Sequence, residues 1–217
     1  MSQSTPKVLI FDFDGTLADS APVIRAIYTD LAERNQWRPM TDEDYARLRR
    51  GTLREARRWA GIHWWQFPLV LRSAKRLMHM EAEKVRLFPE VTELIRELHD
   101  KGHELYILSR NSNNTVEHVL ERYKLQHKIS ILERRKRSFG NKAAAIRKLL
   151  KDKQYKKKNV WMIGDEVRDV EAAKIAGINS IAVSWGLQDV SILEKTKPDH
   201  LVNTVEQLRK TLQGKAL

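Results

Sequence analysis

Short, nearly unbroken apolar runs alternate along this chain with stretches in which apolar residues recur every three or four positions. Lys7 to Phe11 is one such run. Glu104 to Ser109, with Leu105, Tyr106, Ile107 and Leu108, repeats it, as do Ile129 to Leu132, Val160 to Ile163 and Ser180 to Val183. Strands buried on both faces leave this pattern. Between them lie helical stripes: Val91, Leu94, Ile95 and Leu98, then Val116, Val119 and Leu120, then Ala145, Ile146, Leu149 and Leu150. Lys101-Gly102 and Ala176-Gly177 read as helix ends handing over to strands. Strands alternating with helices of this length predict an α/β fold of βαβ units around a mostly parallel sheet.

One region breaks the rhythm. From about Asp19 to Leu87 the pattern is helical with no convincing strand. Ile24, Ile27, Tyr28 and Leu31, then Leu69, Val70, Leu77 and Met80, read as the packed faces of a small bundle. Phe88-Pro89 then restarts the alternation. The expected organisation is an α/β core of residues 1–18 and 88–217 interrupted by a helical insertion, 19–87. No internal repeat or low-complexity segment is present.

Composition narrows the function classes. With 217 residues, 41% apolar and 31% charged, the chain suits one folded core with a smaller appended unit. No apolar run approaches the roughly 20 residues that span a bilayer, and Met-Ser-Gln-Ser-Thr-Pro-Lys lacks the order of a secretory signal. A cytoplasmic protein with no membrane partner is the expectation. The absence of cysteine excludes disulfides, thiolate catalysis and zinc–thiolate sites. A net charge of +12 admits nucleic acid as a partner, but the basic residues are scattered. Short clusters occur at Arg134 to Arg137, Lys156 to Lys158 and Arg47 to Arg58, and none is a long tail. A small phosphorylated metabolite fits the same positive field and is favoured. Oligomeric state is not legible.

The chemistry concentrates at strand ends. Lys7-Val-Leu-Ile-Phe-Asp-Phe-Asp-Gly-Thr places Asp12 and Asp14 at the carboxyl end of a buried strand, with Gly15 and Thr16 turning the chain away. Ligands of open α/β sheets bind there. Two carboxylates so close would repel each other and any phosphate, and a hard divalent cation such as Mg²⁺ resolves both conflicts. If Asp14 and Thr16 were mere turn caps, the polar residues at the later strand ends would have no explanation. Leu108-Ser109-Arg110-Asn111 ends another strand, where a hydroxyl and backbone N–H groups could meet phosphate oxygens. Lys142 comes after Phe139-Gly140-Asn141 at a helix start. Ile163-Gly164-Asp165-Glu166 ends a further strand, and Asp169 lies one helical turn on. Asp165 can join Asp12 and the Asp14 backbone carbonyl around a metal, while Asp169 can orient Lys142 or Asp165 from behind.

The order Asp12-x-Asp14-x-Thr16, Ser109, Lys142, Gly164-Asp165-x-x-x-Asp169 resembles the four motifs of the haloacid dehalogenase superfamily. The resemblance runs from Lys7 to about Val202. It implies a Rossmann-like, doubly wound core, with the insertion serving as a helical cap as in phosphoglycolate-phosphatase-like members. It implies a Mg²⁺-dependent phosphatase in which Asp12 is the nucleophile and forms an aspartyl-phosphate. Asp14 would be the general acid and base, and Thr16, Ser109, Arg110, Asn111 and Lys142 would bind phosphate. Asp12, Asp14 and Asp165 would hold the metal, with Glu166 and Asp169 behind them. The dehalogenase branch lacks an acid at the Asp14 position, so phosphate chemistry is favoured. The sequence departs from the family at Glu90, where relatives often have glycine, and carries Glu166 directly after Asp165.

Substrate choice is expected in the insertion, which holds Trp37, Trp59, Trp64 and Trp65 and the run Arg49-Arg50-Gly51-Thr52-Leu53-Arg54. Arg50 or Arg54 could meet a second anionic group of the substrate, although solvated arginines and packed tryptophans give the same pattern. Two other functions fit the sequence less well. One is a phosphomutase of the same family. The other is a nucleic-acid or protein-binding module with a vestigial site, in which Trp64-Trp65 beside Phe67 stack on bases. The seven histidines show no metal-ligand spacing.

Overall fold

The computed structural model describes residues 7–132 and 142–214. The basic cluster at 134–137 and the Phe139-Gly140-Asn141 stretch lie outside the described residues. A six-stranded parallel sheet forms the core. Its strands are β1 (Val8–Phe11), β4 (Glu104–Ile107), β5 (Ser130–Ile131), β6 (Val160–Gly164), β7 (Asn179–Val183) and β8 (His200–Val202). They lie side by side in the order β5-β4-β1-β6-β7-β8. β1 is central, with Phe11 opposite Ile107 of β4 on one side and Ile163 of β6 on the other. The chain winds outward through β4 and β5, then crosses back to β6, so the winding reverses at β1. The carboxyl ends of β1, β4 and β6 therefore flank the crevice where such sheets bind ligands.

Alternation along β1 sends side chains to two cores. Leu9 and Phe11 pack with α5 (Val91–Asp100), α6 (Asn113–Arg122) and α10 (Val205–Leu212) through Leu94, Ile95, Val116, Val119 and Leu208. Val8 and Ile10 face α7 (Lys142–Lys153) and α8 (Val167–Ala176) through Ile146, Leu149, Ala172 and Ala173. Each fully buried aliphatic side chain contributes about 1.5–3 kcal/mol of transfer free energy, so the continuous apolar runs fix the centre of the sheet. Gly102 and Gly177, with φ of +79° and +73°, end α5 and α8 as expected.

The inserted segment holds α1 (Ala21–Asn35), α2 (Asp42–Leu48), α3 (Leu53–Trp59) and α4 (Phe67–Met80). Thr41 and Thr52 start α2 and α3 with reciprocal capping to Asp44 and Glu55. Two details depart from the sequence expectation. The helices enter and leave through a ribbon in which Ala18–Asp19 (β2) pairs antiparallel with Arg86–Leu87 (β3). Strands of two residues are too short to display alternation. In α4, Leu69 and Met80 are exposed, whereas Ala74, Leu77 and Met78 pack inward. A helix turns 100° per residue, and the inward stripe is set by Ala74 and Leu77, which leaves Leu69 on the outer face.

Candidate active site

β1 ends at Phe11, and the next backbone N–H, that of Asp12, donates to the Ile163 carbonyl at 2.8 Å. Asp12 is thereby fixed over the sheet beside β6. The chain then folds back, with the Phe13 carbonyl accepting from the N–H groups of Leu17 and Ala18 at 3.0 and 2.9 Å. Gly15 sits in this turn at φ +79°, and a Cβ there would lie 2.1 Å from Asp165 Oδ2. Only glycine tolerates both the left-handed backbone and that approach. Asp165 follows β6 directly, while Asp169 lies in the first turn of α8 and accepts the Glu166 N–H at 3.1 Å.

Three strand or helix ends thus bring their charges together. Carboxylate oxygens of Asp12, Asp165 and Asp169 all lie within 4.8 Å of one another, and all three residues are buried. Lys142, only 2% exposed, reaches Asp12 Oδ2 at 2.6 Å and Asp169 Oδ1 at 2.5 Å. Burial opposes the ammonium, but Asp12 and Asp169 outweigh it and push the Lys142 pKa up. Burial, then the charges of Asp12 and Asp169, lifts Asp165 well above the usual carboxylate range. Three carboxylates facing one ammonium leave an excess of two negative charges when all are ionised. Oxygen donors with that excess fit a hard divalent cation such as Mg²⁺.

Asp14 sits beside this cluster, partly buried. Its Oδ1 accepts from Ser20 Oγ at 2.6 Å, and the Asn111 side-chain amide donates to both oxygens at 3.2 Å. Burial raises its pKa to about 6, with Asp12 adding to the shift and the bonds from Ser20 and Asn111 opposing it. Asn111 therefore joins the ends of β1 and β4 through its side chain. Its N–H, expected to face phosphate, donates to Ser109 Oγ at 2.9 Å. Ser109 is buried, and the half-buried Arg110 has no hydrogen-bond or ion-pair partner among the described residues. Thr16 Oγ1 donates to Asp165 Oδ1 at 2.7 Å rather than standing free. Glu166 caps α8 and pairs with Arg168.

The residues proposed to select substrate are less central. Arg54 is exposed on α3, and Arg50 pairs with Asp189 at 3.1 Å. Trp64 and Trp65 are exposed, whereas the Trp59 indole donates to Asp44. Sequence reasoning missed the loop after β7. There the Leu187 N–H donates to Asp165 Oδ2 at 2.7 Å, and the Trp185 indole donates to the Thr16 carbonyl at 3.2 Å. It also missed Arg49, whose guanidinium bonds the carbonyls of that loop. These contacts use backbone atoms, which a sequence does not display. Trp185-Gly186 after a strand was the one available signal.

Comparison with known proteins gives the arrangement a lineage. Residues 9–183 match the family described as haloacid dehalogenase-like hydrolase. The chain is 35% identical over 202 residues to a phosphoglycolate phosphatase of Synechococcus elongatus, covering 93% of this chain and 95% of that protein. It is 27% identical to a phosphoglycolate phosphatase of Aliivibrio fischeri, over 89% and 90% of the two chains. Among solved structures, a haloacid dehalogenase-like hydrolase from Streptococcus pneumoniae superposes with a TM-score of 0.82 at 22% identity, covering 98% of this chain and all of the other. That last likeness establishes the fold.

Proposed function

The chain belongs to the haloacid dehalogenase-like hydrolases, and from that premise we propose that it is a Mg²⁺-dependent, cytoplasmic phosphatase of small phosphomonoesters that carries the phosphoryl group on Asp12. The observation that carries the reading is the buried array in which Lys142 bridges Asp12 and Asp169 beside Asp165. A buried array with that excess of negative charge is unfavourable unless a cation neutralises it.

A bound Mg²⁺ would be held by Asp12, Asp165 and the Asp14 carbonyl, and would supply charge neutralisation between the nucleophile and the phosphate oxygens. Asp12 is aligned by the Phe13 N–H on Oδ1 at 2.7 Å and by Lys142 on Oδ2. A carboxylate oxygen of Asp12 attacks phosphorus, the ester P–O bond breaks, and the leaving oxygen takes a proton from Asp14. Asp14 then accepts a proton from the water whose oxygen attacks the aspartyl-phosphate. Inorganic phosphate departs and the Asp12 carboxylate is restored. A carboxyl raised to about 6 can hold and return a proton near neutrality. Lys142 and Ser109 stabilise charge on the phosphoryl group, and the guanidinium of Arg110, which has no partner among the described residues, can meet an anionic oxygen of the substrate.

In this reading residues 19–87 form a cap over a core of 1–18 and 88–217, closing the site from water. Phosphoglycolate is the first candidate substrate, since the relatives from Synechococcus elongatus and Aliivibrio fischeri are phosphoglycolate phosphatases; sugar phosphates and nucleotides come next. The test is turnover of p-nitrophenyl phosphate and a panel of phosphometabolites, with Mg²⁺ or EDTA, for the wild type and Asp12→Asn. Mg²⁺-dependent release of phosphate that falls by at least about 10³-fold in the variant is expected. Folded wild-type protein without turnover on any of them would overturn the reading.

A further inference from the structure

Arg49 follows α2 in the inserted segment, yet its side chain belongs to the loop after β7. Its Nε donates to the Leu187 carbonyl at 3.0 Å, and its Nη2 donates to the carbonyls of Gly186 at 2.9 Å and Gln188 at 3.4 Å. The Arg49 carbonyl in turn accepts the Asp189 N–H at 3.0 Å. The same loop wraps Asp165. The Leu187 N–H holds Asp165 Oδ2, and Gly186 packs so closely that a Cβ would stand 2.2 Å from Asp165 Cβ. Gln188 Oε1 accepts the Val167 N–H at 2.6 Å, at the start of the helix that carries Asp169.

We propose that Arg49 is a positioning residue for the divalent-cation site, fixing from the inserted helices the peptide that orients Asp165. Three carbonyls converge on one planar fork, which a lysine's point charge cannot match. Without the fork these carbonyls turn to water, the Leu187 N–H loses its fixed direction, and the Asp165 carboxylate loses one of the two hydrogen bonds it accepts among the described residues. The inserted segment and the cation site are thereby linked, so that occupancy of one favours order in the other. This inference rests on the reading of Asp165 as a metal ligand.

The sign of the effect separates positioning from charge. Removing a cation near the acids would, through Coulomb's law alone, tighten binding of Mg²⁺. Loss of positioning weakens it, and partners that orient metal ligands are typically worth 10–100-fold in affinity. The experiment is calorimetric titration of Mg²⁺ into the metal-free full-length protein, comparing wild type with Arg49→Gln, Arg49→Lys and Arg34→Gln. Arg34 pairs with Asp30 on the surface of α1 and serves as the control within the same insertion. The expected result is a Kd about tenfold higher for Arg49→Gln, an intermediate rise for Arg49→Lys, and a change of less than about twofold for Arg34→Gln. With saturating Mg²⁺, kcat of Arg49→Gln should recover.

A folded Arg49→Gln protein that binds Mg²⁺ as tightly as wild type, or more tightly, overturns the proposal. So does an unchanged Kd combined with a raised KM, which would make Arg49 a substrate contact. If Arg49→Gln does not fold, Arg49→Lys decides, and wild-type affinity in that variant is equally contrary. A wild type that binds no Mg²⁺ would instead defeat the cation-site reading, and the first titration reveals this before any variant is compared.

Discussion

Lys142 is the residue on which the charge balance of the site turns. It is the ammonium that faces both Asp12 and Asp169 in a setting with almost no access to water. Removing one member of a buried ion array leaves the others uncompensated, at a cost of about 3–5 kcal/mol. Lys142→Met is therefore expected to lower the unfolding free energy by that amount in EDTA, read from urea titrations. A loss below about 1 kcal/mol would mean that the acids are already neutral without the lysine. Asp12, Asp14, Asp165 and Asp169 stood out in the sequence as acids after buried strands. Ser109 and Lys142 carried weak signals alone and were picked out by the order of the motifs. The structure brings Asp12, Lys142, Asp165 and Asp169 together. Arg49 did not stand out. One arginine in a run of basic residues carries no mark of its partners, which are carbonyls nearly 140 residues away.

Among elements, legibility mostly followed burial and length, although the two-residue β5 was read from the apolar run Ile129 to Leu132. β1, β4, β6 and β7 are largely buried and show as apolar runs, broken only by Glu104 at the start of β4 and Asn179-Ser180 at the start of β7. β2, β3 and β8 have two or three residues each and leave no periodic trace. The outward turn of Leu69 and Met80 on α4 shows the opposite failure, since apolar residues need not face inward. The junction before β4 carries a pH signature. His103 is buried, and its Nδ1 accepts the Lys7 N–H at 3.0 Å, which pairs the start of β1 with the start of β4. Burial, with Lys7 and Lys101 adding to it, holds the His103 pKa below its ordinary value. The unfolded chain then takes up a proton near pH 6.5 that the folded chain refuses. This contribution to stability is complete above about 6.5 and is lost as pH falls below it. Thermal melting in EDTA between pH 7.5 and 5.5 should show a shallower decline for His103→Gln, which keeps an acceptor but does not titrate. Equal slopes would contradict this account.

At the scale of the whole molecule, the winding reversal at β1 decides where chemistry can occur. It sets the ends of β1, β4 and β6 side by side, so Asp12 meets Asp165 and Asp14 meets Asn111 although the chain separates them widely. The inserted helices join this centre through the β2–β3 ribbon and through Arg49. A net charge of +12 favours the approach of anionic molecules, at a rate sensitive to salt. All of these features serve one chemical claim, that Asp12 itself takes the phosphoryl group. The most direct measurement is to quench the enzyme during turnover in acid, reduce any acyl phosphate with borohydride, and sequence the peptides by mass spectrometry. Asp12 converted to homoserine, with Mg²⁺ and substrate both required, is the predicted result. Sustained phosphate release with Asp12 unmodified, under conditions in which an acyl phosphate standard is reduced, would contradict it.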